Sequence, residues 1–80
     1  MTKSIFTSSY RIFLELLIQM RKKQNVTQSI LAEKLKKPQS YVSKYESAER
    51  RLDVIETYEI LKALKIQPSV FWKKLERNLK

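Results

Sequence analysis

The chain has 80 residues, enough for one small domain around one core. It contains no Cys and no His, so disulfides, zinc constellations and the common nucleophile–base pairs are excluded; no enzyme, metal or cofactor is expected. Seventeen Lys and Arg against eight Asp and Glu give a net charge of +9, which implies a polyanionic partner.

In chain order, residues 1–8 are polar and rich in Ser and Thr and read as an arm ahead of one domain, residues 9–80. Ser9 is a suitable N-cap for a first helix over residues 10–23. Its core face is Phe13, Leu16, Leu17 and Met20. Leu14 and Ile18 fall to one side, a width that implies burial under a later helix or a subunit contact. Asn25 tolerates the left-handed conformation that often ends a helix. Thr27 then caps a second helix, residues 28–35, with Ile30, Leu31 and Leu35 inward. Ala32 is small enough for a third helix to cross close by.

Lys36 and Lys37 make a tight basic turn. Pro38 opens the third helix at its first position, where a missing N–H costs nothing, and the helix runs to about residue 47. Val42 and Tyr45 are its buried pair. Gln39, Ser40, Ser43 and Lys44 occupy the side left free, which suits a helix laid into the DNA major groove, where base edges offer donors and acceptors. Residues 46–52 form a charged connection. Asp53 caps a fourth helix with Val54, Thr57, Tyr58, Leu61 and Leu64 inward. Residues 65–67 form a loop, and Pro68 opens a fifth helix carrying Val70, Phe71 and Leu75, with Trp72 beside that stripe. The fold class is therefore all-α, with five helices in one domain.

Charge is unevenly spread. Residues 16–44 hold seven basic residues (Arg21, Lys22, Lys23, Lys34, Lys36, Lys37, Lys44) and one acid, Glu33. Residues 45–59 reverse the balance, with five acids against Arg50 and Arg51. The longest apolar-rich run, residues 12–18, is broken by Glu15 and is far short of the ~20 residues a bilayer needs, so no membrane partner is expected. With no secretory signal either, a cytoplasmic location is the expectation.

The order TQ..LA..L, a turn, then QS.VS..E resembles the helix-turn-helix domain of the Cro and lambda-repressor-like regulators, the XRE family. The resemblance covers roughly residues 17–71. It rests on Gln28, Ala32, Val42, Ser43 and Glu46 at these spacings, with Arg21 six residues before Thr27. It implies a five-helix lambda-repressor-like DNA-binding domain. Residue by residue, it implies that Gln39, Ser40, Ser43 and Lys44 contact base edges, and that Gln28 meets a phosphate and braces Gln39. Lys36, Lys37, Tyr41, Arg50 and Arg51 are the further phosphate candidates, positioning the protein without specifying sequence. Arg21 and Glu46 match positions that pair across the fold. The chain departs from the family where Gly is favoured: those places hold Asn25, Lys36, Ala48 and Lys65. Pro38 also stands where Ser or Thr usually caps the third helix.

The function implied is a sequence-specific double-stranded DNA-binding regulator, a repressor acting as a homodimer on a palindromic operator. Candidate dimer contacts are Phe71 and Trp72, then Leu14 and Ile18. An antitoxin-like subunit that neutralises a protein partner and autoregulates its operon is the alternative. Non-specific binding by charge is a third reading, marked by steep salt dependence without sequence preference.

Overall fold

The computed structural model describes residues 7–80, and its helices there are α1 (Ser8–Lys23), α2 (Gln28–Leu35), α3 (Gln39–Glu46), α4 (Val54–Ala63) and α5 (Pro68–Leu79). Local chemistry sets most of their starts. The Thr7 hydroxyl accepts from the Tyr10 amide at 3.0 Å, so α1 begins two residues before the expected start and Thr7, not Ser9, is its cap. Of the arm expected over residues 1–8, residues 1–6 lie outside the described part, whereas Ser8 is already helical. Thr27 caps α2 through the Ile30 amide at 3.1 Å. Asp53 and Glu56 form a reciprocal capping box at the start of α4, with 2.7 Å and 3.0 Å bonds. Pro68 opens α5 as expected. Pro38 does not open α3: it is the N-cap, in extended conformation, and supplies no side-chain bond.

The turns after α1, α2, α3 and α4 share one device. Asn25, Lys36, Ala48 and Lys65 all adopt positive φ, between 58° and 67°. These are the four places where the resemblance favours Gly. At each, the amide of the next residue reaches back five positions: Val26 to Arg21, Lys37 to Ala32, Glu49 to Lys44, Ile66 to Leu61. The left-handed turn is thus retained without Gly, at about 1 kcal/mol per site.

The core gathers one stripe from each helix. In α1, Tyr10, Leu14, Leu17 and Arg21 are buried along the helical repeat, with Leu16 beside them, while Phe13 and Met20 are only partly covered. Leu14 therefore belongs to the core rather than to a side stripe. The breadth of the apolar face has its explanation in α5, which packs on α1 and brings the Phe71 ring edge-on to Phe13 at 5.9 Å. Leu31, Val42, Tyr45, Ile60, Leu61, Leu64 and Phe71 complete the centre. Ala48 and Leu52 are also buried, so the connection between α3 and α4 is an anchored loop; the Leu52 amide donates to the Tyr10 hydroxyl at 3.1 Å.

Four residues expected inward are exposed: Ile30, Val54, Tyr58 and Val70. Helix α4 shows why. Val54, Tyr58 and Leu61 match helical spacing, but so do Thr57, Ile60, Leu61 and Leu64, and the second stripe is the one that packs. A helix apolar on two sides leaves its orientation to tertiary packing.

Candidate nucleic-acid interface

Helix α3 separates its residues by periodicity. Val42 and Tyr45 are buried, at 0% and 1% exposure, and press the helix onto the core. On the opposite side Gln39, Ser40 and Lys44 are exposed and Ser43 is half-buried. Gln39 with Ser43, and Ser40 with Lys44, are each four residues apart, so all four share one face. The Ser43 hydroxyl donates back to the Ser40 carbonyl at 3.2 Å, which leaves it an acceptor for an outside donor. The structure therefore brings the four candidate base-contacting residues together.

What holds α3 in place is a buried polar knot. Arg21 Nε meets Glu46 Oε2 at 2.7 Å and Arg21 Nη2 meets Oε1 at 3.0 Å, a fork-to-carboxylate pair with both side chains under 10% exposed. Arg21 Nη1 donates to the Val26 carbonyl at 2.6 Å, and Gln28 Nε2 donates to Glu46 Oε1 at 2.9 Å. The Glu46 carboxylate at the end of α3 thereby ties α1 to α2, and Arg21 ties in the turn between them. No buried side-chain polar atom among the described residues lacks a partner. Gln28 is turned to Glu46 rather than to Gln39, so the expected brace of Gln39 is not made. Gln28 still stands at the first position of α2, where backbone N–H groups point out of the helix.

A second cluster lies beside α3. The half-buried Tyr41 ring has Lys37 Nζ at 5.3 Å and the Arg50 guanidinium carbon at 4.9 Å from its centroid. It also packs edge-on against Tyr45 at 5.9 Å. Arg50 Nη2 is held by Glu56 Oε2 at 2.6 Å, and Nη1 by the Arg51 carbonyl at 3.3 Å. The Arg50 hydrogen bond holds the Glu56 carboxyl below its ordinary range, helped by the Asp53 amide, and the same bond raises Arg50. Burial, then the Glu56 charge, raises the Tyr41 phenol, so it remains a neutral donor at neutral pH. Tyr45 is raised more strongly, again chiefly by burial.

The phosphate candidates do not form one group. Lys37, Tyr41 and Arg50 converge, whereas Arg51 lies over the Tyr10 ring at 4.6 Å, beside the start of α1. Lys36 occupies the left-handed turn position and is exposed. The dimer candidates divide as well. Phe71 is fully buried and Leu14 nearly so, which removes both from any surface; Trp72 is 49% exposed and Ile18 is partly covered. Sequence reasoning missed Glu56, both as the anchor of Arg50 and as the partner of Asp53 in the capping box; the Asp53-x-x-Glu56 spacing is the signal that could have found the second role. It also missed an apolar outer face: Val54 and Trp72 line a shallow groove of about 240 Å³ with Tyr10 and Phe13, and Ile55 and Tyr58 are exposed on the same helix as Val54.

Comparison with known proteins agrees with this architecture. A helix-turn-helix family model matches residues 17–71, which include every candidate DNA-contacting residue and the Arg21–Glu46 pair. The chain is similar to the solved structure of an XRE-family like protein from Pseudomonas syringae pv. tomato str. DC3000, with 41% identity and a TM-score of 0.87, covering 98% of this chain and 95% of that one. It is also similar to a mutant of the restriction–modification controller protein C.Esp1396I, with a TM-score of 0.83 over 91% of this chain and 92% of that one; at 22% identity this likeness speaks for the fold alone. A search of curated proteins found no match. An exposed polar face on the second helix of a helix-turn-helix, braced by the Arg21–Glu46 knot and covered by a matching family model, places the chain in the XRE-like helix-turn-helix family of DNA-binding transcription regulators.

Proposed function

We propose that the chain is a sequence-specific double-stranded DNA-binding repressor that acts as a homodimer on a palindromic operator. The observation that carries this reading is the shared polar face of exposed Gln39, Ser40 and Lys44 with half-buried Ser43, on a helix fixed by a buried ion pair. A rigid helix presenting short polar side chains and one cation can enter the major groove, where Gln pairs with adenine and Lys with guanine. Lys36, Lys37, Tyr41 and Arg50 flank it as phosphate contacts, with Gln28 at the start of α2. Occupying a promoter then blocks polymerase.

The dimer reading rests on one observation. Val54, Ile55, Tyr58 and Trp72 expose apolar surface on α4 and α5. On a palindromic site the α3 helices of the two copies would enter successive major grooves on one side of B-DNA, ~34 Å apart. Sedimentation tests it: Trp72→Ala with Tyr58→Ala should shift a dimer to monomer, and a dimer that survives both substitutions places the contact elsewhere. The same apolar face favours a second reading, an antitoxin-like subunit covered there by a different protein. Stoichiometric co-purification of that protein, lost in the same variants, would establish it. The DNA reading itself is tested by selection of bound duplexes from genomic fragments; a protein that enriches none over competitor DNA is not a sequence-specific regulator.

A further inference from the structure

We propose that Lys37, Tyr41 and Arg50 form one clamp for a DNA backbone phosphate, and that Glu56 is its positioning residue, holding Arg50 against the Tyr41 ring without itself touching DNA. This rests on the DNA-binding reading above and assigns a role to α4 within it.

The three donors come from three places: the turn before α3, α3 itself, and the connection after it. Left alone, each would be a separate surface side chain with its own rotamer freedom. Here the Tyr41 ring gathers both cations to within about 5 Å of its centroid, inside the range of cation–π attraction. The phenol of the same ring adds a neutral O–H donor. Two cations and a hydroxyl gathered on one ring suit a phosphodiester, whose single negative charge is shared by two acceptor oxygens and which has no donor.

Arg50 is the member whose place needs explaining. It sits on a loop and its side chain is 41% exposed, conditions under which an arginine ordinarily samples many rotamers. Glu56 removes that freedom. Its Oε1 accepts the Asp53 amide and closes the start of α4, while Oε2 takes Arg50 Nη2 at 2.6 Å. One carboxylate thus references Arg50 to a rigid helix end. Of the five guanidinium N–H donors, one goes to Glu56 and one to the Arg51 carbonyl, which leaves three for a phosphate.

The sign of one substitution separates this role from plain electrostatics. Glu56 is an acid near a polyanion, so charge alone predicts that removing it tightens DNA binding. Positioning predicts the reverse. Glu56→Gln is the informative variant because Gln also completes a capping box, so the start of α4 is kept while the ionic anchor is lost.

The experiment is a salt series of dissociation constants, on a duplex selected by the full-length protein, for wild type, Glu56→Gln, Arg50→Ala and the double variant. Arg50→Ala should lower the salt slope by about one ion. Glu56→Gln should weaken binding several-fold and lower the slope in the same direction, and should add nothing in the Arg50→Ala background. Equal or tighter binding by Glu56→Gln overturns the proposal. If that variant unfolds, Arg50→Lys decides: it retains the charge but loses the planar pairing and stacking, so weaker binding supports the clamp and unchanged binding overturns it. Wild-type protein that binds no duplex overturns the DNA reading and this one together. Wild-type binding with unaffected variants overturns the clamp alone.

Discussion

Two arginine–glutamate pairs flank α3, and they differ in nearly everything except chemistry. Arg21–Glu46 is buried, with side chains 8% and 6% exposed, and its carboxylate also takes a bond from Gln28. Arg50–Glu56 lies near the surface, at 41% and 22%. The first has no room for a ligand and every reason to be rigid; removing either half strands a charge out of water. The second has little to offer stability but leaves guanidinium donors facing solvent. The same pair of residue types thus fixes the reading helix in one case and prepares a surface for a partner in the other. Burial, rather than distance, is what distinguishes them: the bonds are 2.7 and 2.6 Å.

Several substitutions can break or sharpen that contrast. The largest expected effect is at the buried pair. Glu46→Ala should destabilise the domain by about 3–5 kcal/mol, read as the urea midpoint by circular dichroism. Arg50→Ala should leave that midpoint close to wild type, and equal losses in the two variants would abolish the distinction drawn here. Next comes the helix that the buried pair supports. Gln39→Ala should leave stability alone and remove ~1–3 kcal/mol of discrimination between the selected duplex and one changed at the contacted base pair. A smaller effect lies in the turn between them. Lys36→Gly should raise stability by up to about 1 kcal/mol by relieving the left-handed residue, less what Gly adds to the freedom of the unfolded chain. A midpoint that falls would show that the turn carries no such strain.

The smallest effects are those of pH. Because folding lowers the Glu56 carboxyl, its contribution is fully present above the ordinary carboxylate value and fades as pH falls through the lowered one. Glu56→Gln should therefore flatten the acid limb of stability slightly. Because folding raises Tyr45, its contribution is fully present below the ordinary phenol value of about 10 and is lost as pH rises beyond it. Tyr45→Phe, with nothing to ionise, should lose less stability than wild type over that alkaline range.

Much of this architecture is legible in the sequence because its signals are short-range. Thr27, Asp53 and Pro68 mark helix starts through bonds or dihedrals confined to one turn. Asn25, Lys36, Ala48 and Lys65 lie where the family pattern places its left-handed turns, and the backbone keeps the turn while the residue changes. Helix orientation is less legible. Val54 and Tyr58 against Ile60 is a choice between two apolar faces, settled only when α4 meets α2 and α5. Phe71 and Trp72 are neighbours in sequence, and packing alone separates a core ring from a surface one. The partners of long polar side chains are least legible. That Gln28 turns to Glu46, eighteen positions away, and Arg50 to Glu56 depends on where three helices bring those atoms.

The central claim is that the exposed face of α3 reads DNA sequence. It is tested most directly by competition binding at physiological salt between a duplex selected by the protein and its scrambled version, with wild type and Gln39→Ala side by side. The account predicts strong preference in the wild type and reduced preference, at unchanged unfolding midpoint, in Gln39→Ala. Equal affinity for both duplexes, or full preference retained without Gln39, would contradict it.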